Sequence, residues 1–268
     1  MGLRGTCRDL LFRRIPVARR LALARIFCRL HGGRWAPALV KDLAQADPAA
    51  YHYFLWRNHL TPARWFAARH RLDALAPTRV LLLADVGRVI GPAPAIRSVL
   101  DVGCSSGYLL RSLEASWGVG KADLLGFDVD RAALARGRRY LAGVGSRVRL
   151  VEGDLRSPPI EGRGEFDLVF CTGVLMYLPE RTARAVVTRL LGQTRQLLVL
   201  SAPACQEGDN LGLQGSLTRA HATFVHNLDA MVTAAGGAVV GRRWQGAERL
   251  GGQTVYFVLA RGVARAGQ

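Results

Sequence analysis

The sequence predicts an α/β protein with a doubly wound parallel sheet, preceded by a helical extension. Two observations lead to this fold class. From residue 97 onward, short β-branched runs alternate with helical stretches, as in consecutive βαβ units. Before that point helix signals follow one another without strands, and the run Gly91-Pro92-Ala93-Pro94 then breaks the pattern. We therefore predict an extension over residues 1–96 and an α/β domain over residues 97–268.

The composition is that of a folded protein with a basic first third. Of the 268 residues, 50% are apolar and 21% are charged, which excludes a disordered chain. No stretch free of charged residues reaches the ~18 residues that a membrane span needs. The net charge is +17, and residues 1–97 supply +12 of it. Such a segment can face nucleic acid, an anionic membrane surface or an anionic substrate, or it can be a solvated arginine-rich helix face.

The cysteine pattern argues against disulfides and against a structural zinc site. There are five, an odd number, and none forms a C-x-x-C pair. This pattern favours neither a disulfide framework nor a structural zinc site, and we expect no bound metal. A reducing compartment follows, and we expect the protein to be cytoplasmic.

Four helices are expected in the extension. Residues 8–30 form an amphipathic pattern with Pro16 inside it, which suits either packing on the protein itself or peripheral contact with a membrane. Asp47-Pro48 and Thr61-Pro62 each place a capping side chain before a proline, so helices should run over about 48–60 and 62–73. A further helix should cover 78–90. The two middle helices are rich in aromatic and polar side chains, and we expect them to form a lid over a binding site or an ordinary packed layer.

The α/β part follows in order. Its strand-like runs are SVLDV, DLLGFDV, VRLVEGD, DLVFC and QLLVLSA, with helices expected from Gly107, Arg131 and Glu180 between them. A helix near 222–236 leads to GAVVGRRW and then TVYFVLARG. Because no helix separates these last two runs, they should pair as a hairpin.

The first strand ends in a glycine-rich turn, VLDVGCSSGYLL. Such a turn at the carboxyl end of strand 1 is where this architecture binds a nucleotide-like ligand. The spacing is neither G-x-G-x-x-G nor that of a P-loop, which excludes both phosphate-binding fingerprints. Asp101, just before the turn, suits a cationic ligand.

Acidic side chains also end the next two strands. Asp128, within GFDVD, lies at the end of the second strand, where a carboxylate can accept both hydroxyls of a ribose. Asp154, within VEGDL, lies at the end of the third strand, where it can accept from an exocyclic amine such as that of adenine.

In these motifs the sequence resembles the class I S-adenosylmethionine-dependent methyltransferases over about residues 97–262. The resemblance implies a Rossmann-like seven-stranded sheet of order 3-2-1-4-5-7-6 with the last strand antiparallel, and S-adenosyl-L-methionine as cofactor. Four motifs in order carry it: VLDVGCSSG, GFDVD, EGDL and FDLVFCTGVLMYLP. They imply a set of cofactor-binding residues: Asp101, Gly103, Cys104, Ser105, Gly107, Asp128, Val129, Asp154, Leu155, Cys171, Thr172 and Gly173. Ser105 departs from the glycine most common in the family, so it either donates to the cofactor carboxylate or rearranges the loop.

Several residues are candidates for catalysis or for binding the methyl acceptor. Many family members have a histidine directly after strand 4, where this chain has Leu175-Met176-Tyr177. We therefore predict His226 as general base, with His221 and Tyr177 as the other catalytic candidates. A capping or surface histidine is the alternative for His226. The residues expected to bind the acceptor are His52, Trp56, His59 and Asn227.

Three functions are compatible with these residues. The first is methyl transfer to an oxygen or nitrogen of a small molecule, such as a natural product, sugar or lipid-like acceptor. The second is methylation of RNA held by the basic extension. The third is a non-methylating protein that uses the cofactor structurally. We favour the first, because the N/D-P-P-Y/F-type signature of amino-group nucleic-acid methyltransferases does not follow strand 4. The sequence does not predict an oligomeric state.

Overall fold

A computed structural model of the chain shows a seven-stranded sheet with helices on both faces. It describes residues 15–16, 19, 22–24, 26, 44, 47–57, 75–91, 96–119, 121–160, 162–218, 223–250 and 253–262. The helices are α1 Pro48–Arg57, α2 Pro77–Ile90, α3 Tyr108–Ser116, α4 Arg131–Gly143, α5 Glu180–Gly192 and α6 Leu228–Ala234. The strands are β1 Ser98–Val102, β2 Asp123–Asp128, β3 Arg149–Glu152, β4 Phe166–Thr172, β5 Thr194–Ala202, β6 Leu217–Thr218, β7 Phe224–Val225, β8 Gly237–Leu250 and β9 Gln253–Gly262.

The strand order of the sheet is β3-β2-β1-β4-β5-β9-β8. The first five strands are parallel, while β9 pairs antiparallel with both β5 and β8. Counting β8 and β9 as the sixth and seventh strands gives the predicted order 3-2-1-4-5-7-6, so the fold class is confirmed. The short strands β6 and β7 form a separate two-stranded ribbon inserted between β5 and α6.

Two apolar layers cover the sheet, one on each face. On one face, α5 and α6 bury side chains such as Val187 and Val232 against Leu100 and Val169 of the strands. On the other, α2, α3 and α4 pack in the same way, with Leu82 buried beside Val99. Strands that are apolar on both faces form the centre of a covered parallel sheet, which explains their almost continuous hydrophobic runs.

Helix α2 belongs to the sheet domain. The chain divides into compact units at residues 1–64 and 65–268, and α2, expected over 78–90, lies in the second. Its Pro77 occupies the first turn, where a missing N–H costs nothing. The predicted division at residue 96 into a lid and a catalytic domain stays a prediction.

Within the first unit the structure describes α1. The Asp47 carboxylate accepts from the Ala50 N–H over 3.0 Å, which caps the helix at the predicted start. The predicted helix 62–73 and most of the amphipathic segment 8–30 lie outside the described residues. No helix in the described part of the chain is long and apolar enough to cross a membrane.

The helix expected near 222–236 is shorter than the pattern suggested. It begins at Leu228, because the Asn227 side chain accepts from the Ala230 N–H over 2.9 Å and caps it there. Phe224 and Val225 before it are strand β7. His226 therefore precedes the helix instead of lying on it.

Candidate functional site

The acidic strand ends and the glycine turn meet at one edge of the sheet. Strand β1 lies between β2 and β4, and Asp101 is in register with Gly126 on one side and Phe170 on the other. The chain order reverses at β1, since β2 and β3 extend one way and β4 and β5 the other. Ligands of doubly wound sheets bind at such a switch point, beside the carboxyl ends of the strands.

The turn after β1 needs glycine at two positions for steric reasons. Gly103 and Gly107 have φ angles of +73° and +78°. A Cβ at Gly103 would lie 2.2 Å from the nearest methyl carbon of Val174, and one at Gly107 would lie 2.8 Å from Leu150. Cys104 between them is buried, and burial raises the pKa of its thiol well above the ordinary value. The thiol is therefore a packing group of this turn.

Ser105 fixes the carboxylate of Asp128 through its backbone. Its N–H donates to Asp128 Oδ2 over 2.7 Å, and the Asp130 N–H donates to Oδ1 over 2.8 Å. Val129 also contributes a backbone hydrogen bond to this carboxylate. Ser105 has φ +52°, the left-handed conformation that glycine takes at little cost. Burial nevertheless raises the pKa of Asp128 above its usual range.

Asp101 is a buried carboxyl between opposing charges. Burial raises the pKa of Asp101 to about 7, with Arg79 acting to lower it and Asp128 to raise it further. A cation placed beside Asp101 would favour its ionised form. The group is therefore suited to bind the positive end of a ligand.

Arg79 is a residue of this site that the sequence analysis missed. It reaches from the first turn of α2, and its Nη2 donates to the Thr172 carbonyl over 3.1 Å. Its Nε donates to the Tyr108 hydroxyl over 3.3 Å. In the sequence it is one arginine of a basic segment, and no motif separates it from the others.

The residues at the end of β4 line the same edge. Cys171 and Thr172 are buried, and burial raises the pKa of the Cys171 thiol far above its ordinary value. Gly173 has φ +73°, and its N–H donates to Ser201 Oγ on β5 over 3.0 Å. This contact fixes the chain where it leaves β4.

Asp154 lies at the expected strand end but is already paired. Arg156 Nε donates to both of its carboxylate oxygens over 3.1 Å, and Nη2 donates to Oδ2 over 2.5 Å. The Leu155 carbonyl accepts from Arg189 Nη1 over 3.0 Å. An exocyclic amine at Asp154 would thus share the carboxylate with an arginine.

Tyr177 lies in a 3₁₀ turn, Leu175–Tyr177, directly after β4. Burial, reinforced by the negative charge of Asp128, raises the pKa of Tyr177 to about 12. The phenol therefore stays protonated near neutral pH and can donate a hydrogen bond.

His226 is fully buried, and both of its ring nitrogens are engaged. Nε2 lies 2.9 Å from the Leu175 carbonyl oxygen, and Nδ1 lies 2.6 Å from Ser216 Oγ. Since a carbonyl only accepts, Nε2 carries the proton and Nδ1 accepts from the serine hydroxyl. Desolvation by burial lowers the pKa of His226. The ring thus joins the turn after β4 to Ser216, which directly precedes β6.

The remaining predicted acceptor residues are placed as follows. Asn227 caps α6, and its amide nitrogen donates to the Leu211 and Leu213 carbonyls, both over 3.0 Å. His52 and Trp56 lie on α1 in the first unit, where His52 is buried and its ring is 5.3 Å from that of Tyr51. His59 and His221 lie outside the described residues. Across the described ranges, no three side chains are grouped as metal ligands.

Comparisons with known proteins identify the domain that this site belongs to. Residues 99–195 match the family described as "Methyltransferase domain", and they contain all four motifs. The magnesium protoporphyrin IX methyltransferase of Synechocystis PCC 6803, solved with bound S-adenosylmethionine, superposes with a TM-score of 0.55 at 16% identity. This match covers 81% of the present chain and 98% of the other.

The domain is a class I S-adenosylmethionine-dependent methyltransferase domain. The glycopeptide N-methyltransferase MtfA shows the same fold, with a TM-score of 0.53 and 18% identity over 72% of the present chain and 98% of its own. Among curated proteins, this methyltransferase domain is similar to a ubiquinone biosynthesis O-methyltransferase of Aromatoleum aromaticum. The two are 30% identical over 135 residues, which is 50% of the present chain and 53% of the other.

A carboxy-S-adenosyl-L-methionine synthase of Wolinella succinogenes is 42% identical over 57 residues, or 21% of the present chain and 24% of the other. The chain therefore spans about half, or less, of the length of these two curated relatives. The likeness to them concerns the methyltransferase domain and not the whole chain.

Proposed function

We propose that the protein transfers a methyl group from S-adenosylmethionine to an oxygen or nitrogen of a small molecule. The observation that carries the proposal is the Asp128 carboxylate, held at the carboxyl end of β2 by the backbone N–H groups of Ser105 and Asp130. The backbone N–H of Val129 adds a third hydrogen bond to this carboxylate. A carboxylate fixed in this way can accept the two neighbouring hydroxyls of a ribose.

The residues of the site fit this cofactor. Asp128 would hold the ribose, Asp154 the adenine amine, and Asp101 with the glycine turn the methionine moiety. S-adenosylmethionine is cationic at its sulfonium, and the site offers it buried carboxyl groups. When bound, it supplies an electrophilic methyl group on a sulfur that leaves as a neutral thioether.

The protein itself contributes to methyl transfer mainly by positioning the reacting groups. His226 points both ring nitrogens at partners within the protein, and Tyr177 stays protonated near neutral pH. A neutral leaving group lowers the need for a strong base, and orientation alone can supply a large part of a rate enhancement. We propose that His226 positions the turn after β4, while Tyr177 donates a hydrogen bond at the site. A base role for His226 would require breaking its bond with Ser216.

The names of similar proteins support a small-molecule acceptor. These proteins are named for ubiquinone biosynthesis, magnesium protoporphyrin IX and a glycopeptide. The alternative, methyl transfer to RNA, rests on the basic extension, most of which lies outside the described residues. No specific acceptor follows from these likenesses.

Calorimetric titration with S-adenosylhomocysteine tests the cofactor assignment. Asp128→Asn keeps the shape of the side chain but removes the charge that receives the ribose hydroxyls. We expect about 100-fold weaker binding, since hydrogen bonds to charged groups contribute about 1.5–3 kcal/mol each. Asp123→Asn is the matched control, because Asp123 lies at the opposite end of β2 in a surface ion pair with Arg149. Equal affinity of wild type and Asp128→Asn would contradict the assignment.

Transfer of a labelled methyl group tests the acceptor class. The full chain is incubated with methyl-labelled S-adenosylmethionine and a cell extract, which is then separated into small-molecule and RNA fractions. We expect label in the small-molecule fraction. Label confined to RNA would overturn that part of the proposal.

A further inference from the structure

We propose that the outer face of α4 docks on an anionic phospholipid bilayer. The surface consists of α4, the loop that follows it and the first residue of β3, residues 131–149, which we call the arginine segment. Docking there is a separate property from methyl transfer and does not depend on which molecule accepts the methyl group.

The positive charge of the α/β domain is concentrated in the arginine segment. Residues 98–268 contain 20 basic and 15 acidic residues. The arginine segment supplies six of the basic residues and none of the acidic ones. The rest of the domain therefore has 14 basic and 15 acidic residues and is almost neutral. An excess confined to one helix and one loop is a local feature of the surface, not a general bias of the composition.

Four arginines of the segment lie on the exposed side of α4. At 3.6 residues per turn they fall within about half of the helix circumference. The residues between them on this side are alanine or glycine, so the guanidinium groups can approach a flat surface together. The opposite side is buried against the sheet through residues such as Leu134 and Leu141. The four exposed arginines are Arg131, Arg136, Arg138 and Arg139.

Carboxylate partners are found at the two ends of the segment. Arg131 Nε lies 2.8 Å from Glu152 Oε2, and Arg149 Nη2 lies 2.5 Å from Asp123 Oδ1. The two carboxylates offset two of the six positive charges and leave the middle of α4 cationic.

The arginines in the middle of α4 have no carboxylate partner in the described ranges. Arg138 donates from Nε and Nη2 to the Leu150 carbonyl over 3.0 and 2.8 Å, and this acceptor is neutral. Arg136 and Arg139 are exposed, and the ion pairs of the described residues include neither of them. A guanidinium binds phosphate through two parallel N–H bonds, so a layer of lipid phosphate groups can supply the counter-ions.

The shape and the neighbours of this surface favour a bilayer over a nucleic acid. Single-stranded nucleic acid is bound in grooves where bases stack on aromatic side chains. The face of α4 is convex instead, and the one aromatic residue of the segment, Tyr140, is half-buried. Val144, directly after α4, is 42% exposed between two glycines. Its side chain can enter the boundary between headgroups and acyl chains while the arginines contact phosphate.

Co-sedimentation of the full chain with vesicles tests the proposal. The vesicles consist of phosphatidylcholine alone or of phosphatidylcholine mixed with phosphatidylglycerol. We expect binding to the mixed vesicles only, and weaker binding as salt is added, because exposed charges are screened. Arg136→Gln combined with Arg139→Gln should weaken this binding about 30-fold, since each arginine near an anionic surface contributes about fivefold.

Two other double variants are the controls. Arg88→Gln with Arg181→Gln removes the same charge from exposed positions on α2 and α5. Helix α2 is joined to β8, at the opposite edge of the sheet from β3, so this variant should bind mixed vesicles almost as wild type does. Arg136→Lys with Arg139→Lys keeps the charge and should retain most of the affinity.

Val144→Ser tests the apolar contact at the end of α4. It leaves the charge unchanged and should weaken vesicle binding about 3- to 10-fold, as expected for partial burial of a valine. Binding to an RNA of mixed sequence is measured alongside and should not change in this variant. Unchanged vesicle binding would contradict the insertion of Val144.

Several outcomes would overturn the inference. Absence of binding to mixed vesicles, or equal binding to both kinds of vesicle, would exclude an anionic bilayer as the partner. Equal losses in the α4 double variant and in the Arg88 and Arg181 double variant would show that only the net charge of the chain matters. If Arg136→Gln with Arg139→Gln weakened RNA binding and left vesicle binding intact, the face of α4 would belong to a nucleic-acid partner.

Discussion

Arg243 on β8 donates from Nε and Nη2 to the two carboxylate oxygens of Asp85 on α2, over 2.7 and 2.8 Å. Both side chains are largely buried, with 27% and 8% of their surfaces exposed. Burial acts to raise the pKa of Asp85, but the hydrogen bonds and charges of Arg243 and Arg88 together outweigh it, and the pKa is lowered. This pair fixes the helix that carries Arg79 to the terminal hairpin.

Removing one partner of this pair should destabilise the domain. Asp85→Asn keeps the size of the side chain but leaves a partly buried guanidinium without its counter-charge. We expect the free energy of unfolding to fall by about 1–3 kcal/mol in urea titrations. Arg88→Met removes only the exposed partner of Asp85 and should cost less than about 1 kcal/mol. Equal effects of the two substitutions would contradict the importance of the Arg243 pair.

Asp101 should make the stability of the cofactor-free protein depend on pH. Its pKa is raised from 3.8 to about 7, so the native state holds a proton that the unfolded state releases across this range. Stability from this group is therefore greatest below pH 3.8 and declines as the pH rises toward 7. Asp101→Asn removes the ionisable carboxyl group. We expect its free energy of unfolding at pH 8.5 to exceed that of wild type by about 3–4 kcal/mol.

The measurement is urea unfolding of wild type and Asp101→Asn at pH 5.5 and pH 8.5. The variant should gain most relative to wild type at the higher pH. A difference that is the same at both pH values would show that Asp101 ionises normally.

His226 should act on stability through its two hydrogen bonds. His226→Phe leaves the buried Leu175 carbonyl and the Ser216 hydroxyl without their partner, and we expect a loss of about 2–4 kcal/mol. His226→Gln can still donate to that carbonyl and should lose less stability.

The pKa of His226 is lowered from 6.5, so the unfolded state takes up a proton first as the pH falls. The stability advantage of wild type over His226→Gln should therefore narrow below pH 6.5.

Thermal unfolding between pH 5 and pH 8 measures this difference. A constant advantage across the range would contradict a buried neutral histidine. A fall in turnover of about 10²–10⁴-fold in His226→Gln, with unchanged affinity for the cofactor, would instead support the base role that the sequence suggested.

Ser105 carries backbone strain that glycine would relieve. A non-glycine residue in the left-handed region costs about 1–2 kcal/mol, whereas glycine adds about 0.5–1 kcal/mol of entropy to the unfolded chain. Ser105→Gly should therefore raise the free energy of unfolding by up to about 1 kcal/mol. The affinity of Ser105→Gly for S-adenosylhomocysteine should be unchanged, because the donor to Asp128 is the backbone N–H.

Ser106→Gly is the control, since Ser106 is buried without a positive φ angle, and it should destabilise the protein. A loss of affinity in Ser105→Gly would show that the hydroxyl contacts the cofactor.

The strand ends of the site were predictable because they are local in sequence. A hydrophobic run that stops at an acidic residue places that residue at the mouth of a parallel sheet, and this held for Asp101, Asp128 and Asp154. The strand order came from the resemblance to a family, not from the runs themselves. Glycine spacing likewise indicated the turn at Gly103 and Gly107, whose φ angles are positive.

Long-range polar contacts were not predictable in the same way. Arg79 meets the Thr172 carbonyl across 93 residues, and a backbone carbonyl leaves no mark in the sequence. His226 is predicted as a base because the usual histidine after strand 4 is missing, but its environment depends on Ser216 and a carbonyl 51 residues earlier. The start of α6 was misplaced because the capping role of Asn227 was not recognised.

The pairing of Asp85 with Arg243 also sets an order of assembly during synthesis. The two residues are 158 positions apart, and Arg261 donates to the Val89 carbonyl from 172 positions away. Chains emerge from the ribosome at about 5–20 residues per second, starting from the amino terminus. Helix α2 is synthesised before any strand of the sheet, whereas Arg243 and Arg261 leave the ribosome roughly 8–34 seconds later at these rates. The polar contacts of α2 with Arg243 and Arg261 can therefore form only after almost the whole domain has been synthesised.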